Sequence, residues 1–354
     1  STSEPAYITL LKAYGGKDNI TELPDSAFAN VTTANDKGMY KKADDLGTSY
    51  YYRGAVDNNW VKFGKEGTKD IYWRIIRING DGSIRMIYSG TTKPSENTSV
   101  TGSNGVYMTG TGTQITVDSA NTFKFNSSSN KAEYVGYQYI EGQQHGYGEC
   151  NGSSASCTVN GNTLYNSIIK QQIDKWYAGT TLKDNSLVSQ DQIFCNDRSA
   201  TTSDSGTPGE ISGSMSTSTT YYYGAYVRLV TNKSPQLKCP TASDKFTSRK
   251  SSIGNKALTY PVGLITADEV AMAGGVYGSI NSSYYLYTSS FYWSGSPYDF
   301  FSDYSSAGEF SVSNGGDIGA GSVNITYGAR PVVSLSSKAK LSGNGTYSKP
   351  YTVS

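Results

Sequence analysis

Histidine is almost missing from this chain: His145 stands alone, inside Gly142-Gln143-Gln144-His145-Gly146-Tyr147. Hydrolases and transferases working near neutral pH usually draw on histidine, a tuned carboxylate pair, an activated cysteine or a metal. No nucleophile motif surrounds His145, and the chain has no phosphate-binding loop, dinucleotide glycine fingerprint or His-x-x-x-His pair. The expectation is a solvated loop imidazole, no catalytic residue, no enzyme and no cofactor. A surplus of charge is missing too. Thirty basic side chains face twenty-nine acidic ones, for a net charge of +1, so no field draws in a phosphate backbone and nucleic acid is not an expected partner. Nor is there an apolar run of about 18 residues, so a membrane is expected only through a segment absent from this chain. The oxygen-rich turns Asp57-Asn58-Asn59 and Asn79-Gly80-Asp81-Gly82 lack the acidic spacing of a calcium loop, and no metal site is expected.

Cysteine is scarce but even in number. Cys150 and Cys157 sit in a Gly/Ser-rich loop, while Cys195 and Cys239 are far apart with no histidine nearby, which does not suit zinc. Two disulfides, Cys150 with Cys157 and Cys195 with Cys239, are the preferred reading, and they imply an oxidising compartment. Four unpaired buried thiols remain the alternative.

What the chain has in quantity is tyrosine (30) and glycine (39), with a charged fraction of 17% against about 25% in ordinary soluble proteins. That is a composition of strands and loops. Residues 49–54 and 60–63 predict a hairpin across Asp57-Asn58-Asn59. Residues 71–78 and 83–88 predict a second, across a turn whose residues tolerate positive φ. Residues 91–162 are rich in Ser, Thr, Asn and Gly and read as long surface excursions; residues 199–218 read as another loop. Leu164, Tyr165, Ile168, Ile169, Ile173, Trp176 and Tyr177 fall near helical spacing, with Asn162 or Thr163 as the cap. Thr266 and Glu269 form a capping-box pair ahead of Val270-Ala271-Met272-Ala273 and the stop Gly274-Gly275, so a second helix begins there, after a short buried strand at 261–265. Strands are expected at 291–294, 309–312, 323–327, 330–335 and 351–353. The stretch at 7–14 is either the remnant of a longer helix whose anchoring half was removed or an ordinary N-terminal helix.

Residues 284–327 contain no Lys, Arg, Gln, Met, His or Cys, and Tyr, Ser and Gly make up about half of them. Binding surfaces favour this mixture because Tyr supplies large amphipathic contact at low entropic cost while Ser, Gly and Asn adapt their hydrogen bonds. If Trp293 and Gly295 face the core, alternation turns Tyr292, Ser294 and Ser296 outward. The loop 297–304 then displays four aromatics. The expected ligand contacts are Tyr292, Ser294, Ser296, Tyr298, Asp299, Phe300, Phe301, Asp303, Tyr304, Phe310, Ser311, Ser313, Asn314, Asp317, Ser322, Asn324 and Tyr327. Arg330 is expected to anchor the final strand from within the core.

Phe291-Tyr292-Trp293-Ser294-Gly295-Ser296-Pro297, Gly308 to Val312, and Tyr327-Gly328-Ala329-Arg330-Pro331-Val332-Val333-Ser334-Leu335 resemble the C-terminal half of C-type-lectin-fold domains in bacterial surface proteins. They also resemble variable proteins diversified by retroelements and, more distantly, the formylglycine-generating enzyme. The blocks at 50–63, 72–90, 194–198 and 264–275 resemble gram-positive surface proteins that often begin with a pilin-like hydrophobic helix. The resemblance implies an α+β, C-type-lectin-like domain with a mixed, mainly antiparallel sheet, two helices and long loop insertions. Residues 1–47 would be an N-terminal segment of the kind that can follow a removed membrane or pilin-like helix, and 48–354 the domain, with insertions near 91–162 and 199–260. In the diversified relatives adenine-containing codons vary, favouring the residue types that dominate 284–327. The Glu-Pro-Asn, Gln-Pro-Asp and Trp-Asn-Asp calcium motifs are missing, as is any cysteine after Cys239, so neither calcium-mediated sugar binding nor formylglycine chemistry carries over.

The expected function is ligand binding by an extracellular, cell-surface-anchored adhesion protein. Its partner would be a protein or glycan on another cell, a phage or a host surface. The alternatives are a structural subunit of a surface appendage or pilus, and an extracellular carboxylate-based hydrolase with two close acids in a deep cleft.

Overall fold

The computed structural model describes residues 3–95 and 111–354. The chain is mixed α+β, mostly sheet, with four short helices: α1 (Ala6–Lys12), α2 (Ile168–Ala178), α3 (Gly224–Tyr226) and α4 (Ala267–Ala273). Its largest sheet is curled into a half-barrel. Strands β1 (Lys37–Asp44), β2 (Gly47–Gly54), β3 (Trp60–Glu66), β4 (Lys69–Ile78) and β5 (Ile84–Tyr88) are joined there by Val332–Leu335, Leu341–Ser342 and Tyr351–Val353.

The β4–β5 hairpin forms as its turn chemistry predicts, with Ile78 opposite Ile84 and Trp73 opposite Tyr88. The hairpin expected between β2 and β3 does not form, although both strands exist. Each pairs with β4 instead, β3 along its first half through Trp60↔Arg74 and β2 at its far end through Tyr51↔Arg77. The reason is closure length. A turn at Gly67, with φ of 57°, joins β3 directly to β4, and a tight turn closes at lower entropic cost than the longer β2–β3 link.

The expected start of α2 also needs correction. Residues Asn162–Asn166 form a strand paired with Ser156–Val159, because Asn160 and Gly161 take the positive φ values of a two-residue hairpin turn. The helix begins after Ser167, whose hydroxyl accepts from Lys170 N–H. Its Trp176 then packs edge-on against Trp73 and Tyr88. Helix α4 forms as expected, with the reciprocal Thr266–Glu269 capping box and Gly274 at its end.

Residues 91–162 are not merely a surface excursion; 96–110 lie outside the described residues. Ile115, Phe125 and Val135 are fully buried in the same hydrophobic core as Trp73 and Ile75. The N-terminal segment joins this body as well: Ala6, Leu10 and Leu11 of α1 are buried in the core and β1 pairs along β2.

A second, antiparallel sheet carries the Tyr-rich region. Its order is Ala200–Thr201, Tyr221–Tyr223, Tyr292–Phe301, Ser306–Val312, Ile318–Ser322. The expected loop at 297–304 is therefore strand as far as Phe301, followed by a short 3-10 turn over Ser302–Tyr304. Of the strand expected at 323–327, only Thr326–Tyr327 forms, against Phe123–Lys124.

Candidate ligand-binding surface

Tyr222 lies directly opposite Asp299 in neighbouring strands, so both side chains leave the same face of the second sheet. Tyr226, four residues on at the end of α3, packs against Tyr222 with ring centroids 4.8 Å apart. Tyr298 follows at 4.9 Å from Tyr226, and Tyr277 stacks on Tyr298 at 5.9 Å with their hydroxyls 2.8 Å apart. These four half-buried rings form a ladder resting on the buried Phe310, whose centroid is 5.0 Å from that of Tyr298. Lys233 closes one end, its Nζ 5.8 Å from the Tyr277 ring centroid.

Pro297 shapes this surface. The pairing of strands Tyr292–Phe301 and Ser306–Val312 slips on either side of Pro297, as expected where a residue with no N–H interrupts a ladder. The irregularity brings two consecutive side chains over one position: a Cβ on Gly308 would meet Asp299 Oδ1 at 3.0 Å and Tyr298 Cδ1 at 3.2 Å. Asp299 has no hydrogen bond or ion pair among the described residues. Burial pushes its carboxyl up to about 7. Burial likewise raises the Tyr298 and Tyr226 phenols and lowers the Lys233 ammonium.

The expected contact residues separate into three groups. Tyr298 and Asp299 belong to the ladder. Tyr292, Ser294, Ser296, Phe300, Phe310, Ser311 and Ser313 are buried, so the outward orientation expected for Tyr292, Ser294 and Ser296 is corrected. Tyr292 donates to Leu286 O at 2.6 Å beneath the Arg330 guanidinium, Ser294 donates to Phe310 O, and the Ser296 hydroxyl accepts from Ala267 N–H at the start of α4. Alternation misleads here because both faces of the sheet are covered: α3 and α4 pack on one, and the turn Ala132–Val135 on the other.

The remaining residues are dispersed. Phe301 stacks on Tyr304, which is 80% exposed, beside the exposed Asp303. Tyr327 stacks between Phe291 and Trp293. Ser313 donates to Asp317 next to the exposed Asn314, and Ser322 donates to Asn324. Tyr222, Tyr226, Tyr277 and Lys233 were not among the expected contacts. The Tyr221-Tyr222-Tyr223 run followed by Tyr226 was the available signal, a concentration of tyrosine within six residues. Arg330 is anchored as expected, donating to Tyr88 O and Ser89 Oγ.

A polar cleft of about 40 Å³ lies beside α4. Four of its six acids are engaged by arginines: Glu269 meets Arg77 at 2.8 Å and Arg85 at 2.7 Å, Asp44 meets Arg77 at 2.9 Å, and Arg228 joins Asp268 to Asp197 at 2.8 and 2.7 Å; Asp45 pairs with Lys245, and Asp191 accepts from Ser251 and Ser252. Burial alone would raise the Glu269 carboxyl, but the Arg85 and Arg77 guanidiniums overcome it and hold it at about 2. None of these four acids is without a cation partner. His145 is not the solvated imidazole expected from its loop. Its ring is largely buried, with Nδ1 2.9 Å from Asp244 and Nε2 3.0 Å from Glu210. No group of three His, Cys, Asp or Glu residues suited to a metal occurs among the described residues.

Both disulfides form as paired in the sequence reading, and they suggest an oxidising, extracellular environment. Among the described residues no helix is long and apolar enough to cross a membrane. The chain matches no protein-family model, no curated protein and no solved structure.

Proposed function

We propose that this chain is an extracellular recognition protein with a C-type-lectin-like fold, carried on a cell surface, and that it holds a protein or glycan ligand on the tyrosine ladder. The observation that carries this reading is the ladder itself. Three separate segments converge to leave the rings of Tyr222, Tyr226, Tyr277 and Tyr298 half exposed on a sheet whose other aromatics, apart from Phe301 at the end of its strand, are buried. A monomer gains little by assembling such a row at its surface, whereas a ligand gains rigid amphipathic contact area. Resemblance to retroelement-diversified variable proteins fits the same surface, since Tyr298 and Asp299 lie within residues 284–327.

A binding screen of the purified chain against host glycans and extracellular proteins, beside a Tyr222→Ala/Tyr226→Ala variant with unchanged circular dichroism, tests the reading. Capture that the folded variant loses locates the site. Capture that the variant retains moves it elsewhere.

One observation favours the appendage-subunit reading. Strand Ile318–Ser322 ends the second sheet, and beyond Ile318 its outer edge carries only Gly319, Ala320, Gly321 and Ser322. Charged or proline gatekeepers are the usual protection of such an edge. Concentration-dependent self-association in sedimentation, abolished by Ala320→Lys, would place that reading ahead.

A further inference from the structure

Asp299 is a half-buried carboxylate with no hydrogen-bond or ion-pair partner among the described residues, set among tyrosine rings. Tyr222 stands opposite it across the strand pair, Tyr298 precedes it in sequence, and Tyr226 packs on both rings. A carboxylate taken from water costs free energy unless something donates to it, and no cation among the described residues does so. Lys233 lies over Tyr277 at the other end of the ladder. The rings touch face to tilted face at 4.8 and 4.9 Å, so they do not box a void of the kind that holds a quaternary ammonium. They offer an open aromatic surface ending at an anion. That combination suits a planar cation with several N–H donors, which can stack on a ring and donate to both carboxylate oxygens.

We propose that the Asp299 end of the ladder seats a guanidinium group, the side chain of an arginine presented by a partner protein or of a free arginine derivative. This rests on the ladder being the recognition surface and names the chemistry it selects. Burial holds the Asp299 carboxyl near 7, so a guanidinium gains its full partner only above that pH. The titratable groups around Asp299 are Tyr222, Tyr223, Tyr226 and Tyr298, with Asp204 acting on Tyr226 and Lys233 on Tyr277. Burial raises the Tyr223, Tyr226 and Tyr298 phenols above their ordinary value, so these three do not titrate between pH 6 and 8.

The test is an NMR titration of the whole chain, following tyrosine ring signals, with N-acetyl-arginine amide, agmatine and the uncharged isostere N-acetyl-citrulline amide. The expected result is saturable binding of both guanidinium probes, with citrulline at least about tenfold weaker. Affinity should rise from pH 6 to pH 8 and fall by at least about tenfold in Asp299→Asn. Agmatine binding as tightly as the arginine amide points to a free ligand. Tighter binding of arginine-containing peptides points to a protein. Equal binding of arginine and citrulline amides by the wild-type chain overturns the proposal without any variant, as does no saturation. A ligand from the wider screen that needs Tyr222 and Tyr226 but carries no cation would overturn the guanidinium seat and leave the recognition surface standing.

Discussion

Replacing Glu309 with glutamine should change how the stability of this protein depends on pH. Glu309 lies in strand Ser306–Val312, is 0% exposed, and neither carboxyl oxygen has a hydrogen-bond partner. Arg198 is near enough to favour the charged form, but its donors go to Asp244, Gln138 O, Gly146 O and Ser243 O. Burial therefore dominates and pushes the carboxyl well above its ordinary 4.5. A raised pKa means that the folded state binds the proton more tightly than the unfolded chain. The favourable contribution is full below the unfolded value and is lost as pH rises from there through the folded value. Glu309→Gln holds the neutral state at every pH. Below about pH 4 the two proteins should differ by less than ~1 kcal/mol. Above that, the variant should gain up to ~1.4 kcal/mol on wild type for each pH unit, until the folded pKa is passed. Glu309→Met also removes the unpartnered oxygens and should gain a further ~1–3 kcal/mol even in acid. Urea unfolding midpoints at pH 4, 5.5 and 7 measure all of this. A constant difference between wild type and Glu309→Gln across the series, or a loss of stability in the variant at pH 7, would refute the reasoning.

Arg228→Met should be costly, because Asp197 and Asp268 would both be left buried without their cation; a loss of about 3–5 kcal/mol is expected by chemical denaturation. Reducing the Cys195–Cys239 disulfide, which closes a sequence separation of 44 residues, should cost about 4 kcal/mol by loop entropy, and the shorter Cys150–Cys157 bridge about 2; Cys→Ser pairs compared by thermal unfolding distinguish them. Thr266→Ala breaks the capping box of α4 and should cost about 1 kcal/mol, with Glu269 still held by Arg77 and Arg85.

Local chemistry was legible wherever a few neighbouring residues decide the outcome. The Asn79–Gly82 turn between β4 and β5, the Thr266–Glu269 capping box, both disulfides and the buried Arg330 could be read from residue types and spacing alone. The Asn160-Gly161 turn was equally local and was overridden by an apparent helical period across 164–177. The β2 and β3 strands were legible, but their partners were not, because both compete for β4 and the choice depends on the length of the links. The contact surface was the least legible. Alternation gives the two faces of a strand but does not say whether each face meets water. Tyr292 and Ser296 look like surface residues until α4 and Arg330 are laid over them.

The sequence by itself therefore determined the Tyr-, Ser- and Gly-rich make-up of residues 284–327, the secondary elements with local signals and the covalent cross-links. Each depends on interactions within a few residues or on the chemistry of two cysteines. Tertiary structure alone decided which tyrosines reach solvent and that Asp299 stands without a partner among the described residues. Tyr222, Tyr226, Tyr277 and Tyr298 come from segments far apart in the chain, and only the packing of α3 and the sheet edge sets their rings in contact. Burial, unlike residue type, is a property of everything folded around a side chain.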